Sequence, residues 1–103
     1  ATFPPPPEAT WQQHFRLLLV KALDDGNMSL SAMARRMTIS PRTLQRQLAE
    51  HGTAWRAELE AARRWRAAQH RPDDPARLAR HLGYTHPRSA SRAVRRWSSQ
   101  DEA

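Results

Sequence analysis

The chain has 103 residues, 39% of them hydrophobic, no cysteine, and 17 Lys+Arg against 10 Asp+Glu. That length supports one domain or two very small ones with a modest core, and the missing cysteines exclude disulfides and thiolate metal sites. No transmembrane run or signal peptide is evident, so the expected location is cytoplasmic.

The net charge of +7 is concentrated rather than spread. Sixteen of the 17 cations are Arg, Lys21 being the exception, and residues 30–97 hold 15 Arg against five acids, a net +10. Arg is the residue of planar, two-pronged phosphate and base recognition, and a focused positive field captures a polyanion. A membrane surface is disfavoured because no helix pairs this charge with a broad apolar face. The five histidines (His14, His51, His70, His81 and His86) show no ligand spacing, so no metal and no cofactor are expected.

Residues 1–9 carry four consecutive prolines and are expected to be a non-helical, proline-rich linker, a disordered terminus or docking motif being the alternatives. The chain lacks an initiating Met, which fits a fragment of something longer. Thr10 with Gln13 reads as a capping box, and Trp11, Phe15, Leu18, Leu19 and Ala22 form the stripe of a first helix, ended by Asp24-Asp25-Gly26-Asn27. Ser29 caps a short second helix with Leu30, Met33, Ala34 and Met37 inward and Arg35 and Arg36 outward. Thr38-Ile39-Ser40 then turns into a third helix, with Ser40 as N-cap, Pro41 at the first helical position and Gly52 closing it. Leu44 and Leu48 anchor that helix, while Arg42, Gln45 and Arg46 occupy its other face. Arg can bind guanine O6 and N7 with two bonds, and Gln adenine N6 and N7. An ordinary amphipathic helix with a solvated basic face reads the same way, and this segment alone does not choose.

Two short helices joined by a three-residue turn, with small Ala34 at their crossing, follow the helix-turn-helix plan. Thr53 is expected to cap a fourth helix to about His70, with Trp55, Leu59, Ala62 and Trp65 on one face and Arg56, Arg63, Arg64 and Arg66 on the other. At ~1.5 Å per residue it would reach ~24 Å, suiting a rigid connector. Arg71-Pro72-Asp73-Asp74-Pro75 breaks it. Ala76–Leu82, a turn through Gly83-Tyr84-Thr85-His86, and Pro87 to about Trp97 then repeat the first unit, offset by 45 before the turn and 46 after it. The expected fold class is all-α, two helix-turn-helix units joined by a linker helix. The expected boundaries are 10–97 for this pair (first unit about 29–52, linker helix about 53–70, second unit about 75–97) and 98–103 for a polar tail.

The segment from Ala34 to Leu48, with its Arg-Thr-Leu-Gln-Arg string, resembles the first helix-turn-helix of the AraC/XylS family of bacterial transcription regulators. Leu82-Gly83-Tyr84, Ser91-Arg92-Ala93 and Arg95-Arg96-Trp97 resemble the second, and Arg63 followed by Ala67 resembles the family's linker helix. The resemblance implies a seven-helix-type DNA-binding domain whose two recognition helices enter successive major grooves on one face of the duplex. It implies Arg42, Gln45, Arg46, Arg88 and Arg92 as base-facing residues. Ser40, Thr43, Arg63, Arg64, Ser89, Ser91, Arg95 and Arg96 are the expected phosphate contacts. It also implies double-stranded DNA as the partner and a preceding N-terminal effector or dimerisation domain; RNA polymerase is an optional further partner, and the expected cytoplasmic location is nucleoid-associated. The chain departs from the family at Ala90 and Val94, usually large and apolar there, at Pro75, at Gln69-His70 and after Trp97. The second unit is therefore expected to be thin and to add mostly phosphate contacts, with the first as main sequence reader.

Rival readings are a protein-interaction module, polymerase-contacting or inhibitory, with weakened DNA reading, and a non-specific RNA-binding helical protein. The second lacks a single-strand stacking platform. An enzyme is not expected: no nucleophile–base pair is visible, and three glycines build no phosphate-cradling loop.

Overall fold

The computed structural model describes the backbone of residues 7–102 apart from Asn27, and side chains from residue 11 to residue 100. These residues form α1 (Pro7–Ala22), a 3-10 turn (Leu23–Asp25), α2 (Leu30–Arg36), α3 (Pro41–Glu50), α4 (Trp55–Gln69), α5 (Pro75–Leu82) and α6 (Pro87–Glu102). The fold is all-α, with α2–α3 and α5–α6 as two helix-turn-helix units joined by α4. Six α-helices and one 3-10 turn stand among the described residues, where the resemblance implied seven helices.

Several helix ends differ from expectation. α1 starts at Pro7, so residues 7–9 are helical and Thr10 is the fourth helical residue rather than a cap. Proline suits this start because its fixed φ is helical and its missing N–H would lack a partner there anyway. The rest of the expected linker, 1–6, lies outside the described residues. α4 is capped by Ala54 without a side-chain bond; Thr53 instead donates its hydroxyl to Glu58 at 2.9 Å. α6 runs on through the expected polar tail to Glu102. The other caps stand as read: Ser29 accepts from the Ala32 N–H, and Ser40 from the Thr43 N–H, with Pro41 next.

Two cores lie side by side. The first gathers Phe15, Leu19, Ala22, Leu23, Met33, Ala34, Leu44, Leu48, Leu59 and Ala62, so α1 lies over the first unit and the front of α4. The second holds Ala67, Leu78, Ala79, Leu82, Ala90, Ala93 and Trp97. Four of those seven are alanines, which lets α4, α5 and α6 approach closely. Trp97, 4% exposed, supplies the bulk missing at Ala90.

Trp65 departs from the expected stripe and stands 54% exposed. Residues 55, 59 and 62 lead at 3.6-residue spacing to 66 rather than 65. Arg66 accordingly takes the next inward place, donating to the Val20 carbonyl at 2.9 Å and pairing with Asp24.

The two turns are built alike. Thr38 (φ 57) and Gly83 (φ 77), 45 residues apart, both sit in the left-handed region. The residue after each closes the same ring, Ile39 N–H to the Ala34 carbonyl at 3.0 Å and Tyr84 N–H to the Ala79 carbonyl at 2.8 Å. That conformation costs an L-residue about 1–2 kcal/mol and glycine nothing comparable. Thr38→Gly is therefore expected to stabilise the chain by about 1 kcal/mol, measured as a raised urea midpoint at unchanged slope. An unchanged or lowered midpoint would mean the Thr38 backbone is not strained.

Gly83 has a second reason to be glycine. A Cβ there would lie 2.9 Å from Leu23 Cδ2 and 3.3 Å from Met28 Cγ. The turn of the second unit thus packs directly against the 3-10 turn and the Met28 side chain that precedes the first, forming a close seam.

Candidate nucleic-acid interface

α3 is held by its start and by its inner face. The Ser40 hydroxyl accepts the Thr43 N–H at 3.1 Å and donates to the Thr43 hydroxyl at 2.9 Å, so both expected phosphate contacts first serve as the helix cap. Leu44 and Leu48 are fully buried. With successive residues turned by about 100°, Arg42, Gln45 and Arg46 fall within one outward arc of about 100°, and all three are exposed. Arg46 pairs with Glu50 at 3.6 Å, both side chains well exposed. Such an (i, i+4) pair is worth only about 0.3–0.5 kcal/mol, too little to hold the guanidinium back from a stronger acceptor.

α6 repeats this construction with an offset of 46. Pro87 stands where Pro41 does, Arg88 where Arg42 does, Arg92 where Arg46 does and Ala90 where Leu44 does. Ala90, Ala93 and Trp97 point inward, while Arg88, Arg92 and Arg95 share the outward arc and are exposed. Ser91, in the place of Gln45, is half-buried, and Ser89 is exposed. Each unit therefore offers two arginines one helical turn apart at the start of its second helix.

Other expected contacts are engaged inside the molecule. Arg63 donates through Nε to the Leu82 carbonyl at 2.8 Å and through Nη2 to the Gly83 carbonyl at 3.0 Å, with its guanidinium 3.9 Å above the Tyr84 ring. Burial pushes its pKa down, against the pull of Tyr84. It caps the C-terminal end of α5, so its Nε and Nη2 donors, expected on a phosphate, are engaged with two carbonyls inside the molecule. Arg64 donates to Gln100 Oε1 at 3.1 Å. Arg96 binds Glu60, which also accepts the Trp97 Nε1–H at 3.1 Å. That Arg96 hydrogen bond, then the Trp97 one, holds the Glu60 carboxyl below its ordinary range, and Glu60 in turn raises Arg96. Glu60 is thus the α4 anchor of α6, a role the sequence reading missed. Its (i, i+3) neighbour Arg63 and (i, i+7) neighbour Ala67 mark the α4 face turned to the second unit.

Between the units lies an open cleft of about 720 Å³. Ser29 and Leu30 line it from α2 and its cap, Trp55, Arg56, Leu59, Glu60 and Arg63 from α4, and Ser89, Arg92, Ala93 and Arg96 from α6. Among the described residues no group of His, Asp and Glu could hold a metal ion, and no helix is long and apolar enough to cross a membrane.

The chain is similar to a helix-turn-helix transcriptional regulator. Two Mycobacterium tuberculosis proteins, from strain CDC 1551 / Oshkosh and strain ATCC 25618 / H37Rv, each carry the name HTH-type transcriptional regulator VirS. Each is 33% identical to it over 95 residues, covering 89% of this chain and 28% of the relative. The chain thus spans little more than a quarter of the VirS proteins it matches. No known family profile matches it, and no solved structure does.

Proposed function

We propose that the chain is the double-stranded-DNA-binding part of a bacterial transcription regulator of the AraC/XylS type. In this reading α3 and the start of α6 enter successive major grooves on one face of the duplex, with Arg42, Gln45 and Arg46 facing bases in one and Arg88 and Arg92 in the other. Ser40, Thr43, Ser89, Ser91 and Arg95 lie beside phosphates. The observation that carries the proposal is the register of the two units, Arg42/Arg46 on α3 and Arg88/Arg92 on α6, exposed at matching places. The likeness to the VirS regulators supports it. Their greater length leaves room for the effector or dimerisation domain that the reading includes, and RNA polymerase is its further partner.

Selection of bound duplexes from a random DNA pool, with footprinting of the winners, tests this. Two enriched patches about 10 base pairs apart are expected; one patch would make α3 the single reader, and none would overturn sequence-specific binding. On the selected site Arg46→Ala is expected to cost ~1–3 kcal/mol and to relax preference at one base pair. An equal loss on every sequence would move Arg46 to a phosphate.

One observation favours a protein-interaction role beside this one. Leu17 (65% exposed) and Trp65 (54% exposed) are large apolar side chains left in solvent on α1 and α4. Binding to polymerase without DNA would support that reading.

A further inference from the structure

The cleft between the units collects arginines, but they are not equivalent. Arg63 is tied to the Leu82 and Gly83 carbonyls, and Arg96 is neutralised by Glu60. Arg56 and Arg92 line the same cleft from opposite walls. Neither has an acidic or hydrogen-bonding partner among the described residues, and both are exposed. The cleft's only acid, Glu60, is already held by Arg96 and Trp97. What remains is an open channel with two uncompensated cations and the Ser29 and Ser89 hydroxyls on its walls.

The channel's place matters as much as its charge. Arg92 also belongs to the outward arc of α6, so the cleft opens beside the surface proposed to meet the second major groove. If two helices occupy successive major grooves on one face of a duplex, the minor groove between them faces whatever joins the two units. Here that is the face of α4 that carries Arg56, Glu60 and Arg63. Its one exposed, unpartnered cation on this side is Arg56, a full turn ahead of Glu60.

Resting on the DNA-binding reading above, we propose that the cleft is a third DNA contact, a cradle for the phosphodiester strand between the two major-groove visits. In it Arg56 is the phosphate-binding residue, with Ser29 and Ser89 as supporting donors. Ser29 uses its oxygen to accept the Ala32 N–H at 3.0 Å, which leaves its hydroxyl proton available to a phosphate oxygen. Ser89 stands on the facing wall. Arg92 sits at the mouth and keeps its place toward the base edges. A phosphate contact needs charge rather than a fork, so Lys serves at residue 56, whereas a base-reading arginine does not tolerate the exchange.

The test uses the whole chain and two probes. On a random-sequence 30-base-pair duplex, Arg56→Ala is expected to weaken binding and reduce the slope of log affinity against log salt by about one unit. Arg56→Lys is expected to restore both. On a selected duplex, ethylating phosphates one at a time in the stretch between the two protected patches should weaken the unaltered chain and leave Arg56→Ala indifferent at the same phosphates. An unchanged slope for Arg56→Ala, or equal ethylation sensitivity in both proteins, overturns the cradle while leaving DNA binding itself intact. Failure of the unaltered chain to bind any duplex would overturn the DNA-binding reading as well. Circular dichroism melting checks the variants, and because Arg56 is exposed and unpartnered, no change in midpoint is expected.

Discussion

Trp97→Ala is expected to lower the unfolding free energy by about 3–5 kcal/mol, the usual cost of truncating a buried large aromatic. Trp97 is 4% exposed and is the largest side chain of a core whose other buried members are two leucines, Leu78 and Leu82, and four alanines, Ala67, Ala79, Ala90 and Ala93. Alanines cannot swing into the space it leaves. Its indole N–H also satisfies Glu60 at 3.1 Å, so the truncation removes a hydrogen bond along with the volume. Whole domains have only about 5–15 kcal/mol to lose. Urea unfolding with amide exchange checks the result: the loss should fall first on residues 75–97, with residues 30–50 holding their protection longer. A cost below about 1 kcal/mol would mean that the second unit does not depend on this side chain.

Arg63→Ala is expected to cost about 2–3 kcal/mol, since hydrogen bonds to a charged donor are worth about 1.5–3 kcal/mol and their carbonyls are left without a partner. The Leu82 and Gly83 carbonyls are C-terminal groups of a helix, where intrahelical donors have run out, and Arg63 meets both with one planar fork. Lys cannot span two carbonyls in that way, so Arg63→Lys should recover less than half of the loss. The salt dependence of DNA binding separates this structural role from a phosphate contact. A folded Arg63→Ala chain should keep the salt slope of the unaltered protein, whereas a slope reduced by about one unit would return Arg63 to the DNA.

What was legible in the sequence was local. Ser40, Pro41, Leu44 and Leu48 define α3 within eight residues, and each acts as its chemistry dictates: cap, first-turn residue, two anchors four apart. The repeat at 45 and 46 was legible because both units solve the same turn, down to the left-handed residue at Thr38 and Gly83. Illegible features were those decided across distance. Arg63 looks like one more surface cation until α5, 19 residues on, brings it two carbonyls. Trp65 looks like core until the 3.6-residue pitch is followed closely enough to give the inward place to Arg66, whose head finds Val20 on α1 and Asp24 in the 3-10 turn. Residues 98–102 carry no apolar stripe, and their helical course follows from α6 continuing along α4, where Gln100 meets Arg64. The start of α1 at Pro7 was missed because a proline run reads as extended, although its last member can open a helix.

The seam at Gly83 sets how this molecule can measure. With no Cβ, that turn lets Leu23 and Met28 close against it, and Arg66 fastens the same end of α4 to α1. These contacts tie the two units together at this end of α4. If the chain reads two sites as proposed, units tied together in this way favour one spacing and one phase between them. Each base pair inserted between two sites moves the second by 3.4 Å and turns it by roughly 35° around the duplex, a change the protein could follow only by breaking the contacts at the seam. Bending or twisting the DNA is the other way to take up a mismatch in spacing, at a cost set by the stiffness of the spacer sequence. Base pairs touched by no side chain would then contribute to which sites are chosen.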